Sequence, residues 1–373
     1  MGNVGNAYRI HLITTGGTIA GQVAADKQDE SMKRSADEFK DLISGTLGYL
    51  NRKHKLEIDL TTFELANIDS SNIKPSHWMA LVDHIKQEYD KHDAFIITHG
   101  TNTLGYTCAA LSFGIANPNK PILLTGSQVS AGLPGSDALS NLENALRLAA
   151  WPREGNPIKG VMAVFGSYII TGTRVKKDTE FDYDAFKSFS SSSIGRIGRI
   201  INIDERNLEK HLRYLNTGTY PVARNAKDLV CDNDFDMRIA SLTEFPGMST
   251  DIFKTLVTHN NVQGFILRAF GAGDPCTDHR LAFEYLKGME IPIVVTTQAP
   301  NGNSNFQVND PGKLLRDNEL AIPAYDMSIE SMTTKLAWLL AKKRKGEMTY
   351  KQLCKEMVHD IRGEIHVLWE VGI

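Results

Sequence analysis

Two threonines occupy matching positions in the sequence, each just after a glycine that ends an apolar run. The first run, around Ile10–Ile13, meets the turn Gly16-Gly17 and then Thr18, and the second run meets Gly100 and then Thr101. Short runs of branched apolar residues followed by glycine are typical of buried strands that end in a turn. Because ligands bind outside the carboxyl ends of strands in open parallel sheets, we expect the two threonines to face one another across a small pocket.

A lysine in the sequence could act as the base that a threonine hydroxyl requires. A threonine hydroxyl is a weak nucleophile at neutral pH and must pass its proton to a base, and a lysine in an electropositive or desolvated pocket can act as that base through a lowered pKa. Lys177 lies in the charged stretch Gly172–Phe186, which we interpret as a loop. It is the candidate partner of Thr101, with Thr18 on the other side of the substrate. The alternative is that both threonines cap turns and Lys177 is solvated, and spacing alone leaves both interpretations open.

The sequence excludes several other kinds of motif-based chemistry. The glycine segment TGGTIAG (15–21) matches neither the dinucleotide-binding pattern GxGxxG nor the phosphate-binding pattern GxxxxGK[ST]. No HExxH or GxSxG motif is present, and the histidines show no ligand spacing, so we predict no metal site. The cysteines are far apart and lack CxxC spacing, which favours reduced thiols in a cytosolic protein; they are Cys108, Cys231, Cys276 and Cys354.

Length and composition limit the possible partners. The chain has 373 residues, of which 42% are hydrophobic, enough for a sizeable core and for two domains. Its 44 acidic and 41 basic residues leave a net charge of −3, so no nucleic-acid partner is indicated. No apolar run reaches the roughly 18 residues of a membrane span, and the first residues lack the basic and apolar regions of a secretion signal. We therefore expect a cytoplasmic protein that is not attached to a membrane.

Strands alternate with helices along the chain, which predicts parallel α/β sheets in both halves. Between residues 204 and 234 the sequence is polar, mixed and without a sustained period, and we interpret this range as an interdomain linker. The predicted domains are therefore a larger doubly wound domain over residues 1–203 and a smaller parallel-sheet domain over residues 235–373.

Two polar segments lie between the two glycine–threonine corners. The range Gly21–Lys40 is charged and aperiodic, which is typical of a mobile lid beside a site or of a solvated surface loop. The segment Asp69-Ser70-Ser71 precedes a predicted helix at Ser76–Tyr89, and on its residues alone we interpret it as the cap of that helix. One side of the helix is predicted to be buried, and it carries Trp78, Leu81, Val82 and Ile85.

Taken together, several segments resemble the bacterial-type asparaginase/glutaminase family, and in particular its cytoplasmic type I branch. They fall in the family's order over nearly the whole chain, and the two glycine–threonine motifs are highly specific as a pair. The segments are TTGGTIAG (14–21), NIDSSN (67–72), ITHGTNT (97–103), TGSQ (125–128), SDALSNLENAL (136–146), RVKK (174–177), LRAFGAGD (267–274) and RGE (362–364).

The resemblance implies a fold, a reaction and an assembly. The implied fold is the two-domain α/β asparaginase fold, with a larger amino-terminal doubly wound sheet and a smaller carboxyl-terminal parallel sheet, in a homodimer or homotetramer. The implied reaction hydrolyses the side-chain amide of L-asparagine to L-aspartate and ammonia through an acyl-enzyme on a threonine, without a cofactor. By position, the nucleophile is Thr18, and Thr101 with Lys177 forms the proton-relay side.

The resemblance also assigns the positions that bind substrate. Ser70 and Ser71 match residues that hold the substrate's α-carboxylate and neighbouring groups. Backbone N–H groups at the two corners are expected to stabilise the oxyanion, because a developing charge is best met by fixed dipoles. The expected substrate-binding set is Gly17, Asp69, Ser70, Ser71, Gly100 and Asn102.

The sequence departs from the family pattern around the substrate. Asn102 stands where the family has an aspartate that pairs with the substrate's α-ammonium group. Exchanging a charge-assisted hydrogen bond for a neutral one costs about 1–2 kcal/mol, or about tenfold or more in affinity. The lid stretch Gln28–Ser31 contains no tyrosine where the family supplies one, and Tyr49 is more distant in sequence. Asp274 stands where type I relatives often have asparagine.

The sequence leaves three functional hypotheses. The leading one is an amidohydrolase for L-asparagine or a related carboxamide, with Thr18 as the nucleophile. The second, motivated by Asn102 and the missing tyrosine, is an amino-acid-binding protein with weak or no catalysis. The third is the amidotransferase component that uses a related asparaginase domain to feed ammonia to a tRNA-charging partner. That component carries an extra amino-terminal domain, whereas the first strand here is predicted near Ile10.

Overall fold

The computed structural model describes most of the chain, which divides into two compact units. One unit takes in residues 1–188 and 192–233, and the other takes in residues 189–191 and 234–373. In the part of the chain that the structure describes, no helix is both long and apolar enough to cross a membrane. The described residues are 7–17, 19, 21–22, 32–33, 36–54, 57–151, 158–215 and 229–366.

The amino-terminal unit is built on an eight-stranded sheet. Its helices are α1 (Ala36–His54), α2 (Pro75–Glu88), α3 (Leu104–Gly114), α4 (Ala138–Ala149) and α5 (Glu205–Leu215). Its strands are β1 (Tyr8–Gly16), β2 (Gly21–Gln22), β3 (Met32–Lys33), β4 (Ile58–Ile68), β5 (Ala94–Thr98), β6 (Ile115–Ala116), β7 (Pro121–Thr125), β8 (Gly160–Phe165), β9 (Tyr168–Thr171), β10 (Val175–Lys177), β11 (Phe186–Ser188), β12 (Gly195–Ile197), β13 (Ile201–Ile203) and β14 (Val230–Cys231). The strand order of the large sheet is β13-β12-β9-β8-β7-β5-β1-β4.

This sheet is mixed, which corrects the expectation of a fully parallel sheet. Strands β4, β1, β5, β7 and β8 run parallel to one another, whereas β9 pairs antiparallel with β8, and β12 and β13 continue the sheet in antiparallel pairs. The cause lies in the connection between β8 and β9, which consists of Gly166 and Ser167 alone. A parallel pair needs a crossover of a dozen or more residues, so a two-residue turn can only join antiparallel strands.

Alternate residues of the central strands face helices on opposite sides of the sheet. In β1, Ile10 and Leu12 pack in one buried cluster with Leu142 of α4, whereas Ile13 packs in another with Leu81 of α2. Each fully buried aliphatic side chain contributes about 1.5–3 kcal/mol. This burial on both faces explains why the strands read as mostly apolar runs. The parallel pairing of β1, β5 and β7 places their carboxyl ends at one edge of the sheet.

Helix α2 confirms the predicted buried face and corrects the predicted cap. The side chains of Trp78, Leu81, Val82 and Ile85 are all buried. The helix begins at Pro75 after Lys74, and the side chain of Asp69 instead caps the separate 3₁₀ turn Ser70–Asn72 by accepting from the backbone N–H of Ser71. Asp69 is too far along the chain from the first turn of α2 to reach its free N–H groups.

Two ranges without a clear sequence period contain regular structure. Helix α5 lies inside the range 204–234 that was interpreted as the linker. The charged stretch Gly172–Phe186 was interpreted as a loop, but it contains a 3₁₀ turn and strand β10, which pairs in an antiparallel hairpin with β11. Helix α5 carries Leu208, Leu212 and Leu215 at helical spacing, which the interpretation as a linker overlooked, whereas β10 has three residues, too few to show an alternating pattern.

The carboxyl-terminal unit is a smaller parallel sheet with helices, as predicted. The strand order is β15-β16-β17-β18, and every pair is parallel. Its core includes the clustered rings of Phe253, Phe265 and Phe283. The elements are β15 (Ile239–Thr243), α6 (Asp251–Asn260), β16 (Gly264–Ala269), α7 (Arg280–Gly288), β17 (Ile293–Thr297), α8 (Asp310–Asp317), β18 (Ile322–Pro323), α9 (Ile329–Arg344) and α10 (Tyr350–Met357).

Candidate active site

The first corner follows β1 and depends on two glycines. Gly16 and Gly17 have φ angles of 95° and 83°, a region that favours glycine because a Cβ atom is strained there. A Cβ on Gly16 would lie 2.5 Å from the backbone nitrogen of Ile68. The N–H of Gly17 donates to the carbonyl of Ile68 at 3.1 Å, so this N–H is already engaged within the protein. Thr18 lies outside the described residues, as does the lid stretch Gln28–Ser31.

The second corner packs directly against the first. A Cβ on Gly17 would lie 2.4 Å from the Cα of Gly100, and a Cβ on Gly100 would lie 2.6 Å from Oγ of Ser70. Real side chains do not tolerate such distances, so both positions require glycine for the two backbones to touch. The structure therefore brings Gly17, Gly100 and the buried Ser70 to one edge of the sheet.

Thr101 and Lys177 are joined by a hydrogen bond across 76 residues of sequence. Nζ of Lys177 donates to Oγ1 of Thr101 at 2.9 Å. Thr101 is buried, with 8% of its surface exposed, and the Lys177 side chain is 16% exposed. Lys177 closes β10 opposite Phe186, and β10 packs against α3, the helix that begins after the second corner. The lysine is thus held against the hydroxyl and largely out of solvent.

Glu180 is a further charged neighbour of the lysine that sequence analysis missed. Its Oε2 lies 2.7 Å from Nζ of Lys177, and its side chain is 68% exposed. The carboxylate belongs to the connection between β10 and β11. In the sequence it is one of several acids in a charged stretch, and only the hairpin turns it back toward the lysine three residues earlier.

Asn102 and Ser71 form a second hydrogen-bonded pair at this edge. The Nδ2 group of Asn102 donates to Oγ of Ser71 at 2.9 Å, while the backbone N–H of Ser71 donates to Oδ1 of Asp69 at 2.7 Å. Thr103 fixes the neighbouring turn by donating from Oγ1 to the carbonyl of Ser70 at 2.7 Å. The amide oxygen of Asn102 is the acceptor this residue can offer to a bound molecule, and it carries no full charge.

A chain of hydrogen bonds supports the second corner from behind. Trp78 Nε1 donates to Oγ1 of Thr107 at 3.0 Å, Thr107 lies 2.9 Å from Nε2 of His99, and Nδ1 of His99 lies 2.7 Å from the carbonyl of Gly100. Burial lowers the pKa of His99 to about 4, so the ring is neutral at pH 7. We call these residues the corner network: Trp78, Thr107, His99 and Gly100.

The direction of every bond in the corner network follows from the carbonyl at its end. A carbonyl only accepts, so Nδ1 of His99 carries the proton and donates to Gly100. Nε2 of the neutral ring then accepts from the hydroxyl of Thr107, which in turn accepts from the Trp78 indole. The peptide that precedes Thr101 is therefore held in one orientation. Sequence analysis did not select His99, because a buried histidine after a strand has no distinctive spacing.

The described residues contain no metal-binding cluster at this edge or elsewhere. No group of three or more His, Cys, Asp or Glu residues in those ranges is arranged to hold a metal ion. A cavity of about 320 Å³ lies in the carboxyl-terminal unit, and none of the predicted site residues lines it; its lining includes Asn301, Asn303, Asn305, Tyr325, Asp326 and His366.

The fold and the edge define an α/β protein whose sheet presents hydroxyl groups, amides and a half-buried lysine along one edge. Two family models divide the chain between them. The model described as "Asparaginase, N-terminal" matches residues 9–209, and that described as "Glutaminase/Asparaginase C-terminal domain" matches residues 238–352. The chain belongs to the asparaginase family, which confirms the resemblance and the fold class expected from the sequence.

Relatives of two functional names are similar over most of the chain. The L-asparaginase of Thermococcus kodakarensis is 31% identical over 96% of this chain and 99% of its own length. A solved structure of the thermostable L-asparaginase from Thermococcus kodakarensis has a TM-score of 0.78 and 29% identity, and the match covers 96% of this chain and 99% of that one. A component of the glutamyl-tRNA(Gln) amidotransferase of Aeropyrum pernix is 30% identical over 96% of this chain and 81% of its own length.

Proposed function

We propose that this protein hydrolyses the side-chain amide of L-asparagine, or of a close carboxamide, and releases ammonia. The observation that carries the proposal is the 2.9 Å hydrogen bond from Lys177 to Thr101 beside the backbone contact of Gly17 with Gly100. It provides a hydroxyl and an ammonium group, both shielded from water, at the edge where the family places its substrate. Membership of the asparaginase family supports the choice of an amide as substrate.

The proposed reaction has two steps on Thr18, whose role rests on its position in the family motif. In the first step its hydroxyl oxygen bonds to the amide carbon, the C–N bond breaks, and the nitrogen leaves as ammonia with the hydroxyl proton. In the second step water hydrolyses the resulting ester, which yields the carboxylic acid and restores the threonine. Splitting one difficult displacement into two is the usual benefit of a covalent intermediate.

Thr101 and Lys177 are proposed to move the proton in both steps. Positioned proton transfer of this kind contributes about 10²- to 10⁴-fold in rate. The hydroxyl of Thr101 accepts from the Lys177 ammonium group and has its own proton to donate, so it can pass a proton from the lysine to the leaving nitrogen, and the proton released by the Thr18 hydroxyl then restores the ammonium group. The orientation of the peptide before Thr101 by the corner network keeps this hydroxyl at the edge.

Substrate binding is proposed to involve Ser70, Ser71, Asp69 and Asn102. The hydrogen bond between Asn102 and Ser71 leaves the Asn102 amide oxygen as a neutral acceptor at the position where the family has a carboxylate. A neutral acceptor holds an ammonium group less tightly than a charged one. We therefore expect amides without a free α-ammonium group to be used at rates closer to that of asparagine than a carboxylate at this position would permit.

Two alternatives have specific support. The neutral Asn102 favours a protein that binds an amino acid and turns it over weakly or not at all. The similarity to the amidotransferase component favours a chain that releases ammonia in cooperation with a partner protein. A free-standing amidohydrolase, by contrast, reaches its full rate alone.

We expect the protein to assemble as a homodimer or homotetramer, and light scattering on the purified protein measures this oligomeric state.

The test is ammonia release by the purified protein from asparagine, glutamine, succinamate and N-acetylasparagine. The Thr18→Ala variant is the matched control. The proposal predicts turnover of at least one amide by the wild-type protein and none by the variant. Micromolar binding of asparagine in a calorimeter without ammonia from any substrate would instead support the binding protein. Equal rates from the wild-type protein and Thr18→Ala would reject the proposed nucleophile.

A further inference from the structure

The connection between β10 and β11 places a carboxylate on the lysine of the proposed relay. Oε2 of Glu180 lies 2.7 Å from Nζ of Lys177, and the same Nζ lies 2.9 Å from Oγ1 of Thr101. An ammonium group has three N–H donors and a flexible four-carbon stem, so one hydroxyl alone does not fix its orientation. With two partners on different sides, two of the three donors have defined directions.

The backbone of this connection is itself held in place. Asp178 and Thr179 donate their backbone N–H groups to the carbonyl of Ala185, at 2.8 and 3.4 Å. The side-chain amide of Gln128, which follows β7, donates to the carbonyl of Glu180 at 3.1 Å. Glu180 is therefore anchored both within the hairpin and to the end of a central strand. The carboxylate reaches the lysine from a fixed backbone.

The exposures of the two side chains indicate what this ion pair does. Exposed ion pairs contribute little to stability, and the Glu180 side chain is 68% exposed. Lys177 is only 16% exposed and its other partner is the hydroxyl of Thr101. A pair of this kind changes the folding free energy little, but it restricts where the lysine ammonium lies.

We propose that Glu180 is a positioning residue, whose carboxylate holds the ammonium group of Lys177 so that one N–H stays on Oγ1 of Thr101. The inference rests on the proposed function, because it assigns Glu180 to the proton relay of that reaction. Glu180 acts through the lysine and needs no contact with substrate. Its loss lowers the rate of the chemical step and leaves substrate binding nearly unchanged.

A second ion pair on the same hairpin provides a matched control. Lys187 in β11 pairs with Asp178 at 2.5 Å, and both side chains are about half exposed. Neither of them bonds to Thr101 in the described structure. Asp178→Asn therefore removes a carboxylate from the same connection, with the same change of charge as Glu180→Gln, without touching the relay.

The first measurement is independent of activity and follows the acetylation of lysines by a brief pulse of acetic anhydride, read by mass spectrometry. We expect Lys177 to react at least threefold faster in Glu180→Ala than in the wild-type protein, and Lys187 to change instead in Asp178→Asn. Equal labelling of Lys177 in the wild-type protein and Glu180→Ala would overturn the inference, whether or not the protein proves to be an amidohydrolase.

The second measurement uses turnover of the best amide substrate. Small errors in the position of a catalytic group reduce rates steeply, so we expect Glu180→Gln to lower kcat about tenfold with KM within twofold. Glu180→Asp recovers part of the rate, and added formate restores kcat of Glu180→Ala, because the site of the carboxylate is open to solvent. A kcat of Glu180→Gln equal to that of Asp178→Asn would overturn the role in catalysis. An inert wild-type protein with Lys177 labelled as expected would reject the proposed function alone.

Discussion

Two histidine networks of the amino-terminal unit use the same chemistry in different surroundings. The corner network is buried throughout and ends on the carbonyl of Gly100, one residue before Thr101. The other network lies where β1 meets the edge strand β4 and the helix α2. We call it the edge network, and it consists of His11, Thr61, His84 and His92.

The edge network also has one consistent direction when its rings are neutral. Nδ1 of His92 lies 3.1 Å from the carbonyl of Glu88 and must donate to it, so Nε2 of His92 accepts from the hydroxyl of Thr61 at 2.8 Å. That hydroxyl accepts from Nδ1 of His11 at 2.6 Å. Nε2 of His11 then accepts from Nε2 of His84 at 2.9 Å. In this arrangement, a proton added to Nε2 of His11 would face the N–H group at Nε2 of His84.

The difference between the networks lies in where they end. Burial lowers the pKa of both His99 and His11 to about 4, and the neighbouring His92 and His84 also lower the pKa of His11. The charged groups beside the edge network are Glu88 and Lys91, at the end of α2. The comparison teaches that similar hydrogen bonding does not imply a similar role. Of these two networks, the corner network supports a residue of the proposed relay. We therefore expect substitutions in the corner network, and not those in the edge network, to lower the rate of ammonia release.

The largest expected effect comes from removing one hydroxyl in each region. Thr101→Val keeps the shape of the side chain but deletes the proton relay, and we expect kcat/KM to fall by about 10²- to 10⁴-fold. Thr61→Val deletes the central hydroxyl of the edge network and should leave kcat/KM within twofold. Steady-state ammonia release from both variants provides the measurement.

Stability should show the opposite order. We expect Thr61→Val to lose about 1–2 kcal/mol of unfolding free energy, because it leaves two histidine nitrogens without a partner, whereas Thr101→Val loses less than about 1 kcal/mol. Urea unfolding of both variants checks these values. A large loss of activity in Thr61→Val with unchanged stability would break the distinction between the networks.

The second prediction concerns acid, to which both networks should respond alike. The folded-state pKa of His99 is about 4 and its unfolded value is 6.5, so between these values the unfolded chain binds the extra proton and the folded chain does not. Stability is therefore fully present above about pH 6.5 and is lost as the pH falls to about 4. For the fully buried His99 alone the loss is about 3 kcal/mol.

Unfolding in urea at pH 8, 6.5, 5 and 4 measures this dependence. His99→Asn and His11→Asn should each have a shallower loss of stability between pH 6.5 and 4 than the wild-type protein, because each removes one proton-binding group from the unfolded state. For each protein, the unfolding free energy at pH 8 is subtracted from the value at each lower pH. The comparison between a variant and the wild-type protein then contains only the pH-dependent part of the stability. A wild-type stability that stays constant from pH 7 to pH 4.5 would contradict the neutral state of His99 and His11.

The smallest expected effect comes from a substitution of Asn102, the residue that follows Thr101. Asn102→Asp restores a carboxylate where the structure has a neutral amide bonded to Ser71. We expect KM for asparagine to fall about tenfold, or about 1.4 kcal/mol, with little change in kcat and a stability change below that of Thr61→Val. Succinamate lacks the ammonium group and provides the control. An equal gain for both substrates would show that position 102 does not face that group.

The sequence predicted the parts of the fold that follow from continuous burial. The runs of β5 and β7 are buried on both faces and their apolar residues are uninterrupted, whereas the run of β1 is broken by the buried His11. The stripe of α2 that carries Trp78 and Leu81 has helical spacing. The sequence indicated a strand pair or a bent strand over residues 161–171, which is the antiparallel pair β8–β9, but the continuation of the sheet through the short strands β12 and β13 was not predicted. Helix α5 was missed although Leu208, Leu212 and Leu215 have helical spacing, and β10 has three residues, too few to show a pattern.

The candidate site likewise contains residues that the sequence indicated and residues that only the structure revealed. The two glycine corners carry a local signal, and the structure brings Lys177 to Thr101 over 76 residues of sequence, as the proposed chemistry requires. Glu180 and His99 were not selected, since each acts through a neighbour that only the tertiary structure supplies. Backbone N–H groups of the two corners are expected at the oxyanion, and that of Gly17 donates to the carbonyl of Ile68, a pairing that depends on the carboxyl end of β4.

The most direct test of the central claim is ammonia release from asparagine by the wild-type protein and by Lys177→Met, with the folding of both verified by thermal unfolding. Methionine keeps much of the length and apolar character of the lysine stem but removes the ammonium group that bonds to Thr101. We predict measurable turnover by the wild-type protein and a kcat/KM at least about 10²-fold lower in the variant. A folded Lys177→Met protein that releases ammonia at the wild-type rate would contradict the account.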